Sequence, residues 1–526
     1  MLNTLALRLE KLPFDQTGNF SQGFLDYIAA DPKLEEFYEV SPKLENFKSV
    51  IENRKFPKEQ RETLVKVINQ QYDGLVLSGK MLKNLARLKN STCFSITTGH
   101  QLNIFTGPLY FIYKIVSTIN TCRALKEAYP DYDFVPVYWM ASEDHDFAEI
   151  NHFHLFGQTH NWETSQEGAV GRFSTQGMTQ ILDELKECPE LFREAYGQDR
   201  SLADATRYLV NELFGDHGLI VVDADHSDLK RQFIPIIRDE LVHHYAYAAV
   251  SESSEKMRGK GYKTLVTPRE INLFYLTNET RQRIVKKDGR YEVLGTDISF
   301  SAKEIKSLLE KHPECFSPNV VLRTVYQETV LPNIAYVGGP GELSYWLQFK
   351  STFDHYQVPF PVLLPRNCAL IINKGQMKKF QKLQLQLADL FLRAPELKKK
   401  FINRNSEQLL DLDAERAILK ELFERILDKA QKVDGSLPGY VRSEESKTRK
   451  NLDLIEKRIK KAEEQKQEVS INQLMALKDK LFPDGGLQER YDNLLNYYLN
   501  NTHFIDELVE LLDPFDLKFH IIMEDG

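Results

Sequence analysis

Three stretches of this chain concentrate the residue types that bind charged substrates and move protons. The first runs Thr98-Gly99-His100-Gln101-Leu102-Asn103-Ile104-Phe105-Thr106-Gly107-Pro108. Gly99 and Gly107 permit close backbone approach, and Pro108 suits the first turn of a helix, whose free N–H groups attract carboxylate or phosphate. His100, Gln101, Thr106 and Gly107 are therefore candidate substrate-binding residues, and Lys114, two turns into the helix, adds a positive charge. The loop follows neither the GxGxxG nor the Walker A pattern. The second stretch holds Glu143, Asp144, His145 and Asp146, followed by Asn151, His152 and His154. Carboxylates and imidazoles this close together are costly to bury unless paired or ligated. They can serve as general base, as metal ligands or as a pocket for an ammonium group. Their spacing matches neither HExxH nor a zinc finger, so a polar substrate pocket is expected and no protein-bound metal is firmly predicted.

In the third stretch a buried strand runs into Gly338-Gly339-Pro340-Gly341 and then into a helix beginning near Glu342. Gly338, Gly339 and Gly341 offer backbone, while Glu342 and Tyr345 offer acid/base or hydrogen-bonding groups. Upstream, Arg323 and Gln327 lie one helical turn apart and share a face, and Arg366 follows a strand over 360–364. Arginines in such places suit bidentate carboxylate recognition.

The elements that must position these residues follow from hydrophobic patterning. Residues 94–98 read as a buried strand, 108–128 as a helix and 134–140 as a second strand, which makes a parallel βαβ unit. Further buried strands are expected over 218–225, 334–337 and 360–364, giving an α/β fold with a doubly wound parallel sheet. Ligands bind such sheets beyond the carboxyl ends of the strands, where all three polar stretches fall. Residues 1–372 form this core, with small β insertions expected near 157–178 and 262–300, the latter turning at Lys287-Asp288-Gly289. Residues 373–513 read as helical and 514–526 as a strand returning to the core. Within the helical region, Leu412, Leu419, Leu422 and Ile426, then Leu452, Ile455, Ile459, Ala462, Leu474, Leu477 and Leu481, mark a coiled-coil seam. A break at Gly435, Pro438 and Gly439 makes it an antiparallel hairpin over about 405–483. Its second helix, roughly 60 Å long if unbroken, protrudes beyond a compact domain, and such an arm predicts a homodimer.

Composition narrows the class. The 526 residues exceed one ordinary core, and 42% hydrophobic with 27% charged residues is globular. A net charge of -8 disfavours nucleic acid as partner. No apolar run is long enough for a membrane span, Met1–Pro13 lacks the pattern of a signal peptide, and five scattered cysteines fit reduced thiols. A cytoplasmic enzyme is expected.

The stretches TGHQLNIFTGPLYFIYK, VYWMASEDHDFAEINHFH and SPNVVLRTVYQETVLPNIAYVGGPGELSYW, with LFPDGGLQERYDNLL from Leu481 onward, resemble the bacillithiol biosynthesis cysteine-adding enzyme family. The resemblance covers essentially the whole chain. It implies a Rossmann-like core with inserted connecting segments, a dimerising coiled-coil arm and distant kinship with nucleotidylyl-transferring synthetases, whose HxGH signature is missing from the first loop. It also implies the reaction, in which cysteine is joined through an amide bond to the amino group of glucosaminyl malate. ATP, accompanied by magnesium, is the expected cofactor. On that reading Glu143, Asp144, Asp146 and Glu342 hold the amines, and one of them or His145 takes the proton. The helix starts at Pro108 and Glu342 stabilise anions, and Arg323 or Arg366 anchors the malate carboxylates. Two other classes fit parts of the sequence: a metal-dependent hydrolase or deacetylase using His145, His152 and His154, and a non-catalytic coiled-coil scaffold.

Overall fold

The computed structural model describes residues 7–406 and 410–524. Two sheets frame the cleft, built from β1 (Leu7–Leu12), β2 (Cys93–His100), β3 (Asp133–Met140), β4 (Ile220–Asp223), β5 (Asn333–Gly338), β6 (Val362–Pro365), β7 (Cys368–Ile372) and β8 (Phe519–Glu524). The central sheet is parallel throughout, in the order β6-β5-β2-β3-β4. Every residue of β2 and β5 is buried, as expected of strands covered by helices on both faces. The chain leaves β2 for β3 on one side and later returns on the other side as β5. The switch point therefore lies between β2 and β5, and the cleft opens at their carboxyl ends. There the Thr98 hydroxyl donates to the Val337 carbonyl at 2.8 Å. The strands expected from apolar runs are all present, with each end within two residues of its expected place.

The helices that matter to the site are α1 (Tyr110–Ala128), α2 (Ser227–His243), α3 (Val320–Val330) and α4 (Pro340–Trp346). Helix α1 is buried almost all round despite its polar residues, because most of them find a partner. Ser117 donates to Asn367 Oδ1 at 2.7 Å, and Asn120 donates to the carbonyls of Val509 and Leu512. None of the described helices is long and apolar enough to cross a membrane.

Residues 262–300 hold most of an antiparallel sheet of Leu273–Leu276, Arg281–Lys287, Arg290–Val293 and Ser299–Phe300, completed by Phe316–Pro318. Asp288 and Gly289 form its two-residue turn with φ of 49° and 76°, the twist that hairpins prefer. Over 157–178 the only strand is Gln158–Asn161, which pairs with His152–Leu155 upstream.

A second sheet joins the two ends of the chain. Strand β8 lies between β1, which it meets antiparallel, and β7, which it meets parallel. Beyond the core, α5 (Asp413–Val433) and α6 (Leu437–Lys466) form the hairpin arm, and α7 (Glu468–Leu481) returns to the core after a break at Gln467. The second helix of the hairpin, expected as one long helix, is thus two helices. The turn is also tighter than the glycines and proline suggest: Pro438 sits in the first turn of α6, where its missing N–H costs nothing. The seam is shifted as well. Leu419, Phe423, Leu427 and Leu452 are half-buried within the hairpin, and Arg416 bridges to Asp453 at 2.9 Å and to Glu456. Leu422, Ile426, Ile455 and Ile459 are exposed, so the arm carries a second apolar stripe that the hairpin itself does not cover.

Between β6 and β7, Arg366 makes a two-pronged pair with Glu489, at 2.9 and 2.6 Å, with both side chains almost wholly buried. Removing one partner from such a pair strands a charge and typically costs about 3–5 kcal/mol. Glu489→Gln should lower the unfolding free energy by about that amount, read as a reduced midpoint in urea titration.

Candidate active site

A cavity of about 880 Å³ opens at the switch point. Its floor is an ion pair between the buried Lys114 Nζ and the partly exposed Glu342 Oε2 at 2.6 Å, which links α1 to α4 across the gap between β2 and β5. Lys114 also donates to the Gly99 carbonyl at 2.7 Å. Glu342 accepts from Gly339 N–H at 2.7 Å and from the Tyr336 hydroxyl at 3.0 Å. Burial pushes the Glu342 carboxyl towards protonation, but the Lys114 charge and these hydrogen bonds outweigh it and hold the acid ionised. Burial conversely lowers the proton affinity of Lys114, and Glu342 only partly restores it. Gly99 has no side chain because a Cβ there would lie 3.1 Å from Tyr336 Oη and 3.2 Å from Arg323 Nη1.

The opposite wall follows β3. Glu143 is buried against Lys230 of α2, which also donates to the Phe316 carbonyl at 2.7 Å and lies over the Tyr326 ring. Desolvation raises the Glu143 proton affinity, against the pull of Lys230. Asp144 accepts from Gln101 Nε2 at 2.8 Å and from the His145 N–H at 2.8 Å. Burial would raise its pKa, yet hydrogen bonds from His145 and Gln101 and the charge of Arg281 hold it well below the usual carboxylate range. Arg281 reaches His145 Nδ1 at 2.8 Å while stacked over Phe274, and Gln101 also donates to Glu149 at 2.7 Å.

These carboxylates are engaged, whereas several cations are not. Among the described residues Arg269, Arg283, Arg323 and Arg490 line the cavity without an ion-pair partner. Arg323 is oriented by Gln327, whose Oε1 it reaches at 3.2 Å, and Gln327 in turn donates to Glu328 at 2.7 Å. Tyr345 lines the cavity beside Arg323.

Of the candidates from the sequence, His100, Gln101, Lys114, Glu143, Asp144, His145, Arg323, Gly339, Gly341, Glu342, Tyr345 and Arg366 line this one cavity. Others stand elsewhere. Gln327 is buried beneath the wall and acts through Arg323. Gly338 ends β5, its carbonyl accepting from Arg366 N–H at 2.9 Å. Asp146, Asn151 and His152 lie off the cavity: Asn151 Oδ1 contacts His152 Nδ1 at 3.2 Å, and His152 begins the hairpin strand. His154 stacks on Tyr491 at 3.9 Å and meets the edge of His152 at 5.7 Å, while His145 turns to Arg281, so the three do not converge. Among the described residues no group of three or more His, Cys, Asp and Glu is placed to hold a metal ion.

The helix starts do not present free anion sites. At α4 the Glu342 carboxylate itself occupies Gly339 N–H. At α1 the Leu109 N–H is taken by the Asp492 carbonyl, and Asn493 donates to the carbonyls of Phe105 and Gly107 at 2.7 Å each. Gly107 thus serves the loop's shape: its φ is 59°, and a Cβ would meet Asn103 at 2.5 Å. Thr106 faces a separate small chamber. Arg366 spends its two terminal nitrogens on Glu489, which leaves only Nε towards the cavity. The sequence reading passed over Arg269, Arg281, Arg283 and Lys230, which come from the inserted sheet, its connections and α2. It also missed residues 488–493, where Gln488 bonds β7, Glu489 holds Arg366, Arg490 lies over Tyr110, and Asn493 ties down the first loop. The polar run QERYDN was the available signal.

A doubly wound sheet with a charged cavity at its switch point, carrying a coiled-coil arm, defines a Rossmann-like α/β protein of the enzyme type. The chain belongs to the bacillithiol biosynthesis BshC family: residues 7–367 match that family's N-terminal Rossmann-like domain and 369–524 its C-terminal coiled-coil domain. It is 44% identical to a protein of Flavobacterium psychrophilum over 97% of this chain and 98% of the relative. It is 42% identical to one of Cytophaga hutchinsonii over 97% and 98%, and 30% identical to one of Chloroherpeton thalassium over 96% and 97%. All three are described as "Putative cysteine ligase BshC".

Glu328, behind the Arg323 wall, accepts from Gln327 and from Asn333 and is raised to about 7 by burial. An acid whose folded pKa lies above its unfolded value stabilises fully below the latter and loses that contribution as pH rises. Stability should therefore fall between about pH 4.5 and 7, by up to about 3 kcal/mol on this account. Glu328→Gln, which keeps the acceptor, should flatten that slope in denaturant titrations across pH.

Proposed function

We propose that this chain is a ligase that forms a C–N bond, joining the carboxyl of cysteine to the amino group of glucosaminyl malate in the last step of bacillithiol synthesis. The observation that carries the reading is the set of unpaired arginines, Arg269, Arg283, Arg323 and Arg490, in a cavity whose acids already have partners. Such a site takes polyanions. Malate brings two carboxylates, and an activated cysteine brings phosphate. The family and the names of its relatives agree with it.

An amide does not form from a carboxylate unaided, so ATP with magnesium would supply the activation of the cysteine carboxyl, and Arg269, Arg283, Arg323 and Arg490 would hold its phosphates, since Glu342 occupies the Gly339 N–H at the glycine-rich turn. The sugar amine then attacks the acyl carbon, losing a proton as the activating group leaves. Glu143 takes that proton: it lines the cavity, and burial raises its proton affinity, which makes it a stronger base than an exposed carboxylate. Asp144, held ionised, is too weak a base and instead fixes Gln101 and His145 and attracts an ammonium group. Glu342 keeps Lys114 and the β5 turn in place.

The exposed stripe of Leu422, Ile426, Ile455 and Ile459 fits a second copy of the chain, giving a homodimer through the arm. Five free cysteines suit a cytoplasmic setting.

Purified protein given cysteine, glucosaminyl malate and ATP should yield the cysteinyl amide together with AMP or ADP, detected by mass spectrometry. No product from folded protein would sink the reading. Glu143→Gln should lower kcat by about 10²-fold or more, and the wild-type rate should decline on the acid side at a pH above the ordinary carboxylate range. Asp144→Asn and His145→Ala should keep the fold and lose turnover. Wild-type rates in both would remove that loop from the mechanism. Ile455→Asp with Ile459→Asp should convert a dimer to a monomer in light scattering.

A further inference from the structure

Behind the cavity lies a chamber of about 10 Å³, lined by His100, Asn103, Thr106 and Thr206 among others. Thr206 comes from the helix Leu202–Phe214, and the other three from the first loop. Each of the four is more than nine-tenths buried. Each turns one polar atom without a partner to the interior: His100 Nε2, Asn103 Oδ1, Thr106 Oγ1 and Thr206 Oγ1. Four such atoms around one small space are far from the norm for folded proteins, in which nearly all buried polar groups are satisfied. The space matches one water molecule, for which about 10–15 Å³ on this measure is enough.

The chemistry of the four groups dictates how a water would bond. Asn103 Nδ2 donates to the Glu149 carbonyl at 3.2 Å, so the atom facing the chamber is the amide oxygen, an acceptor. The two threonine hydroxyls each have a hydrogen to place. A water oxygen accepts two hydrogen bonds and donates two. Two hydroxyl donors fill its lone pairs, and its own hydrogens then go to Asn103 Oδ1 and to His100. His100 Nε2 is therefore an acceptor. In a neutral imidazole one nitrogen accepts and the other carries the proton.

We propose that one water molecule bridges Thr106, Thr206, Asn103 and His100, and that it fixes His100 as the Nδ1–H tautomer. His100 lines the large cavity as well, so Nδ1 is the nitrogen on the substrate side. The ring is steadied by stacking on Phe111 at 5.0 Å and by the edge of Tyr110 at 5.2 Å. His100 thus acts as a fixed hydrogen-bond donor next to Lys114, aimed at a carboxyl or phosphoryl oxygen of substrate, and not as a proton acceptor. Thr106 and Thr206 are positioning residues that act through the water. Thr106 holds its place at a positive φ of 69°, unusual for threonine, which turns its hydroxyl inward.

The water and the tautomer concern the protein without substrate, so their fate is separate from that of the ligase reading, on which the role of His100 towards substrate and the kcat/KM readout rest. The full-length protein, labelled with ¹⁵N-histidine, should show His100 as the neutral Nδ1–H tautomer, and a high-resolution crystal structure should show one water bonded to the four atoms. Thr206→Val removes one donor at nearly constant shape. It should release the water, mix the two tautomers and lower kcat/KM by about tenfold, while Thr206→Ser should behave as wild type. An Nε2–H tautomer in the wild type, a chamber without ordered water, or an unchanged His100 spectrum in Thr206→Val would each overturn the proposal. Should Thr206→Val not fold, the wild-type spectrum and electron density decide it alone.

Discussion

The ion pair between Lys114 and Glu342 spans the gap where the two halves of the sheet turn away from each other. A carboxylate at that depth is tolerable only because Lys114, the Gly339 N–H and the Tyr336 hydroxyl all converge on it. In turn it sets the end of β5, the start of α4 and the tilt of α1. Gly99 stays without a side chain because Tyr336 Oη and Arg323 Nη1 pass directly over it. The buried pair of Arg366 and Glu489 does the same one strand further out, and it brings residues from the C-terminal third against the cleft. The two pairs form a rigid ionic frame, and rigidity there is useful, since a loosely held cavity of opposite charges would collapse onto itself.

Within that frame, charge is divided by wall. Acids of the second and third stretches are satisfied by Lys230, Arg281, Gln101 and Lys114. Among the described residues Arg269, Arg283, Arg323 and Arg490 have no such ion-pair partner. Two carboxylates of adjacent sequence, Glu143 and Asp144, are driven apart in proton affinity, one upward by desolvation and the other downward by hydrogen bonds. Such separation is how neighbouring acids come to have different tasks at one pH.

Much of this was legible in the chain itself. Buried strands are written as uninterrupted apolar runs, and the three polar clusters follow their carboxyl ends, so sheet, switch point and cleft could be read without coordinates. What could not be read is which polar groups satisfy one another. Arg366 looked free to bind a carboxylate because Glu489 lies 123 positions away. The helix starts looked open because nothing local announces that Glu342 folds back on one and Asp492 covers the other. In the arm, heptad spacing identified the helices but not which stripe faces inward, since each helix carries two.

The central position of β8 has a consequence for the order of events in biosynthesis. The last strand of the chain fills the slot between the first and one from the middle, and residues 488–493 secure a loop made almost 400 residues earlier. Translation is vectorial, so the nascent Rossmann core must wait on the ribosome with an open seam and an untethered substrate loop. Only once β8 has been made can the seam close. Until then β1 and β7 present open sheet edges, and chaperones that shield such edges are natural companions of its synthesis.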